Sequence, residues 1–126
     1  MTDLELIALA QQAREYAYAS YSGFPVGAAL LGRSGTVYAG CNVENAAYPL
    51  TTCAERTAVI KAVSEGEREF EAIAVVTATG ATPCGSCRQI LREFAGPDGE
   101  LRVIVADLDG NSSCERMENH RTGCRE

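Results

Sequence analysis

The sequence has no apolar run approaching the ~20 residues that a membrane-crossing helix needs, so no such span is expected. It also lacks the basic-then-apolar opening of a secretory leader. It begins Met1-Thr2-Asp3-Leu4-Glu5, which points to a cytoplasmic protein. Positive charge is scarce: 11 Lys and Arg stand against 17 Asp and Glu, a net charge of -6. That balance opposes sequence-independent nucleic-acid binding, which needs cations against phosphates. Internal repeats and low-complexity tracts are absent. The one histidine, His120, lies in a polar terminal stretch and reads as solvent-exposed.

What is present suits one small domain. The chain has 126 residues, 46% of them hydrophobic, enough to build a single core. Six cysteines, at 41, 53, 84, 87, 114 and 124, are many for this length. Without a sign of secretion, clustered cysteines point to metal binding or redox chemistry rather than to disulfides.

Apolar residues recur at helical spacing over residues 3–20, and Thr2 with Glu5 makes a capping box. Ser22-Gly23-Phe24-Pro25 breaks that helix. Val26 to Leu31 and Thr36 to Ala39 read as a hairpin, followed by an Asn-containing loop from Cys41 to Thr51. Helices are expected over 52–63 and from Pro83 to about Phe94, with strands over 70–77 and 101–106. The order α-β-β-α-β-α-β implies crossovers and a mixed sheet. Residues 1–110 therefore form the domain. The polar stretch 111–126 has no core-facing periodicity and is expected to be loosely placed.

Two segments carry chemistry, Thr52-Cys53-Ala54-Glu55-Arg56 and Pro83-Cys84-Gly85-Ser86-Cys87-Arg88-Gln89, and each opens an expected helix. A helix N-terminus favours thiolate through its unpaired N–H groups and positive potential. Cys84 and Cys87 share one helix face. With Cys53 they would make a three-thiolate zinc site whose fourth position is left for water. Glu55 could then pass protons to and from that water. Plainer readings exist for each part. Glu55 could complete a capping box with Thr52. Cys84 and Cys87 could be a redox pair, and Cys53 a buried small hydrophobe. Together, at two helix starts, the three cysteines favour zinc.

Four blocks in order, these two with Phe24-Pro25-Val26-Gly27-Ala28-Ala29 and Gly40-Cys41-Asn42-Val43-Glu44-Asn45-Ala46, resemble the small homotetrameric zinc-dependent cytidine deaminases. The resemblance covers about residues 5–110. It implies a three-layer α/β/α fold with a central mixed sheet. The implied reaction is hydrolytic deamination of cytidine and deoxycytidine to their uridine forms, in pyrimidine salvage. It implies one zinc per chain on Cys53, Cys84 and Cys87, with Glu55 as proton shuttle. Asn42 and Glu44 would bond the ribose hydroxyls, Phe24 would pack near sugar and base, and the Ala54 backbone would hold the pyrimidine. Arg56 would offset the surplus charge of three thiolates. Tyr48 would sit at a subunit boundary and reach a neighbouring site. The partner is a nucleoside, with no nucleic acid or membrane.

Bland alternatives hold here as well: Asn42 and Asn45 as turn residues, Phe24 as core, Arg56 as a solvated helix residue, Cys41 as structural. The chain departs from the family pattern at its end. These enzymes continue into a C-terminal helix with a late phenylalanine that stacks on the base, whereas no Phe follows Phe94 here. Competing functions are deamination of a cytosine-bearing antibiotic, thiol–disulfide exchange through Cys84 and Cys87, and an inactive zinc-binding module.

Overall fold

The structure is a computed structural model, and it describes residues 1–80, 85–94 and 100–118. Among the described residues, five strands form one sheet in the order β2-β1-β3-β4-β5. They are β1 (Gly27–Gly32), β2 (Val37–Cys41), β3 (Phe70–Val76), β4 (Glu100–Ala106) and β5 (Ser112–Glu118). The β1 strand pairs antiparallel with β2 and β3, β3 pairs parallel with β4, and β4 pairs antiparallel with β5. The sheet is mixed, as the alternation of strands and helices implies.

Alternation along the strands separates two apolar layers. Leu30, Ile73, Val75, Val103 and Val105 face one side, where they pack with Ala58, Val59 and Ala62 of α2 (Ala54–Ser64) and Leu91 of α3 (Gly85–Glu93). Ala29, Leu31, Ala72, Ala74, Val76 and Ile104 face the other side, against Leu6 and Ala10 of α1 (Asp3–Arg14). Helices thus cover both faces, giving the expected three layers. Small residues let the layers close up. A Cβ on Gly27 would lie 2.0 Å from the carbonyl oxygen of Ala10, so α1 could not seat on β1 with any larger residue. A Cβ on Gly40 would lie 2.7 Å from the Ala58 nitrogen, so the same limit sets how closely α2 rests on β2.

Two expectations need correction. The first helix ends at Arg14, with Glu15 as its cap, rather than running to residue 20. Beyond it the chain is drawn into pairing: the Tyr18 N–H donates to the Asn42 carbonyl (3.0 Å), and the Glu44 N–H donates to the Tyr18 carbonyl (2.9 Å). Tertiary pairing overrides the helical pattern of 15–20. The second correction concerns the C-terminal stretch. Ser112–Glu118 is an ordered strand, held by backbone pairing from Ala106↔Ser112 to Glu100↔Glu118. The Asp107 carboxylate sets up its turn by accepting from the backbone N–H groups of Asp109 and Asn111, with Gly110 at φ 92°. Exposed Ser112, Ser113, Cys114 and Arg116 give no apolar face, so the strand left no alternating signal in the sequence. Residues 119–126, with His120 and Cys124, lie outside the described residues.

Candidate active site

The N-terminus of α2 sets the floor of the site. Cys53, in an extended conformation (φ -73°, ψ 156°), is the N-cap, and Ala54 is the first helical residue. Glu55 is therefore second in the helix, not third, and Thr52 is not its cap. That geometry removes the capping-box reading of Glu55. Glu55 is only 5% exposed, and burial pushes its carboxyl above the usual range. A buried acid of raised proton affinity at a helix start, without the capping role, is a candidate acid–base group.

The second wall is α3. Cys87 sits in its first turn and is fully buried. Cys53, Ala54, Glu55 and Cys87 all line one cavity of about 360 Å³, with Val75 and Thr77 behind them on the β3 side. Cys84 lies outside the described residues, so two of the three expected thiols are placed. Among the described residues no three metal-ligating side chains cluster. The residues present nevertheless suit zinc. Two cysteines come from two helix starts, where N–H groups favour thiolate, and they share a cavity with a carboxyl.

Loops form the rim. The antiparallel bridge between Val43 and Thr52, with both N–H···O bonds at 2.8 Å, folds the 42–52 loop back beside α2. Asn42 is buried and ties the strap at 24–26: its Oδ1 accepts from the Val26 N–H (2.9 Å), and its Nδ2 donates to the Phe24 carbonyl (3.1 Å). It is thus neither a solvated turn residue nor bonded to its own backbone. Glu44 accepts from the backbone N–H groups of Tyr21 (3.0 Å) and Ser22 (2.9 Å) and from the Ser22 hydroxyl. The Ser22 hydroxyl and these two backbone N–H groups hold the Glu44 carboxyl below the ordinary value.

Phe24, Asn42, Glu44 and Tyr48 all line the same cavity as the acid and thiols. Tyr48 opens a short 3-10 turn (Tyr48–Leu50) and is 83% exposed. Arg56 is half-buried in the first turn of α2. Cys41 ends β2 away from this cavity, and burial pushes its thiol up. Sequence reasoning missed Ser22, Thr51 and Thr77, which also line the cavity. Ser22 stood in the helix-breaking run beside Phe24, where a serine reads as punctuation.

Comparison with known proteins gives a consistent result. Residues 1–100 match the family model described as the cytidine and deoxycytidylate deaminase zinc-binding region. The chain is 54% identical over 109 residues to a cytidine deaminase of Sporosarcina psychrophila, covering 85% of this chain and 79% of that protein. It is 53% identical over 108 residues to a cytidine deaminase of Halalkalibacterium halodurans, covering 84% and 80%. Among solved structures it is similar to cytidine deaminase from Burkholderia pseudomallei, with a TM-score of 0.85 at 45% identity, covering 96% of this chain and 95% of that one.

Proposed function

This chain belongs to the cytidine and deoxycytidylate deaminase family, and on that premise we propose how its residues deaminate cytidine and deoxycytidine. The single observation that carries the reading is the meeting of Cys53, Glu55 and Cys87 with Asn42 and Glu44 in one cavity. Cys53, Cys84 and Cys87 would hold zinc, one per chain. When bound, the metal supplies a Lewis acid that makes water a nucleophile at neutral pH.

The remaining chemistry belongs to the chain. Glu55 takes the proton of the attacking water as oxygen bonds to C4 of cytosine, and delivers it to ring N3. It then moves the hydroxyl proton to the amino group. The C4–N bond breaks, ammonia leaves, and the C4 carbonyl of uridine forms. A carboxyl whose proton affinity is raised by burial suits this taking and giving. Arg56, on the turn after Cys53, offsets the excess negative charge of three thiolates. The Ala54 backbone holds the pyrimidine and Phe24 packs beside it.

Glu44 and Asn42 receive the sugar. A carboxylate has about four acceptor sites, and three protein donors occupy three of those on Glu44. One Oε2 site is left for a ribose hydroxyl. Asn42 uses one Nδ2 hydrogen on Phe24 and keeps the other. This polar rim favours a nucleoside over free cytosine or a cytosine-bearing antibiotic without that sugar.

The working form is a cytoplasmic homotetramer. Exposed Tyr18, Tyr21, Val43, Tyr48 and Leu50 beside the cavity mouth support burial of this surface by a neighbouring subunit, with Tyr48 at the boundary. No helix among the described residues is long and apolar enough to cross a membrane.

The test is loss of cytosine absorbance on incubation with cytidine, deoxycytidine, free cytosine and blasticidin S. Both nucleosides turn over, and free cytosine reacts poorly. Equal turnover of cytosine and cytidine would contradict the sugar-binding role of the rim.

A further inference from the structure

The fifth strand reaches the helix that carries Cys87. Arg88 follows Cys87 on α3, and its guanidinium donates Nη1–H to Glu115 Oε1 (2.9 Å) and Nη2–H to Glu115 Oε2 (2.8 Å). Glu115 lies mid-strand on β5, opposite Val103 of β4. The pair is only partly exposed, at 33% and 40% of the two side chains. The fork-to-fork geometry fixes direction as well as distance, which a single contact does not. Arg88 holds the Glu115 carboxyl below its ordinary value, as expected for a carboxylate in such a pair.

The location gives the pair its consequence. The α3 helix packs against α2 and β5, while its buried face is anchored by Cys87 and Leu91. Apolar packing holds such a helix against the sheet but resists sliding and rotation weakly, because it is non-directional. A metal ligand tolerates little of either, since bond lengths must hold within a few tenths of an ångström. A bidentate tie one residue from Cys87 removes that freedom.

We propose that Glu115 is a positioning residue: through Arg88 it locks the register of α3, and so places Cys87 for zinc. The proposal rests on the zinc reading given above. It assigns to the C-terminal strand a task at the metal site, although none of that strand's described residues lines the cavity.

The test uses the zinc-loaded chain and follows zinc release to a chromogenic chelator. Glu115→Ala is compared with Asp3→Ala. Asp3 makes an ion pair of similar length with Arg102, whose Nη1 donates to both carboxylate oxygens (2.9 and 3.1 Å), tying α1 to β4 away from α3. Loss of a group bonded directly to a ligand typically weakens metal affinity ~10–100-fold; Glu115 acts one step further out, through Arg88, so Glu115→Ala is expected to release zinc severalfold, up to ~10-fold, faster. Asp3→Ala is expected to release it at the wild-type rate. Both are expected to lower the melting temperature slightly.

The sign separates positioning from charge. Deleting a carboxylate leaves the surroundings of Cys87 more positive, which by itself would favour thiolates and slow the release. Unchanged or slower release from Glu115→Ala would overturn the proposal. Equal acceleration in both variants would also overturn it, by tracing the effect to general loss of stability. Absence of zinc from the wild-type chain would overturn the zinc reading and this inference with it. Zinc in the wild type with unaltered release from Glu115→Ala would overturn the inference alone.

Discussion

The two sides of the cavity are held in place by different physics. The inner wall, Cys53 to Glu55 and Cys87, rides on helix starts pressed against the sheet, with Ala54, Glu55 and Cys87 buried. The outer rim, Ser22 to Val26 with Asn42 to Thr51, is loop, held by side chains bonded to backbone. On the wall, burial raises the proton affinity of Glu55, the group proposed to move protons. Glu44 and the buried Asn42, the groups proposed to meet the sugar, are fixed by directional hydrogen bonds to the backbone of 21–26. Substitution on the wall should therefore act on turnover, and substitution on the rim on binding.

The largest effect expected under this contrast is on the wall. Glu55→Gln keeps shape and cannot carry protons, so kcat should fall by ~10²–10⁴-fold. Zinc content and the affinity for a non-reacting nucleoside should stay close to wild type. Steady-state kinetics beside elemental analysis check this, and a near-wild-type kcat would leave Glu55 without a chemical role.

Asn42→Ala lies between the two behaviours because Asn42 is a buried rim residue. It strands the Val26 N–H and the Phe24 carbonyl, and a lost buried partner costs about 1–3 kcal/mol. Thermal or denaturant unfolding should show that loss, and KM for cytidine should rise as Phe24 loosens. Unchanged stability would mean that water replaces the amide without cost, and that the strap is not held by Asn42.

The smallest effect belongs to Ser22→Ala, which removes one of three donors from Glu44. A net hydrogen bond is worth about 1 kcal/mol, so KM for cytidine should rise roughly fivefold with kcat little changed. Ser22→Thr should restore it. A fall in kcat with KM unchanged would blur the separation of wall from rim.

Legibility in the sequence followed the same line. The strands expected over 26–31 and 70–77 match β1 and β3, and the helices that begin after Cys53 and run through Cys87 are legible because apolar runs mark elements buried against the core. Glu55 was legible by its spacing from Cys53, but only the N-cap at Cys53 removes its capping alternative. Residues 15–20 misled because Tyr16 and Ala17 keep helical spacing while Tyr18 pairs with the 42–44 segment, a contact that no local pattern encodes. The strand at 112–118 was invisible because backbone pairing to β4 needs no apolar side chain. Ser22 escaped because its value lies in reaching Glu44, 22 residues away.

The claim on which the rest depends is that the ends of α2 and α3 make one zinc centre. Elemental analysis of the chain, purified without chelator and assayed for cytidine turnover on the same sample, measures it most directly. About one zinc per active chain is expected. Full cytidine turnover by a sample that contains no zinc would contradict it.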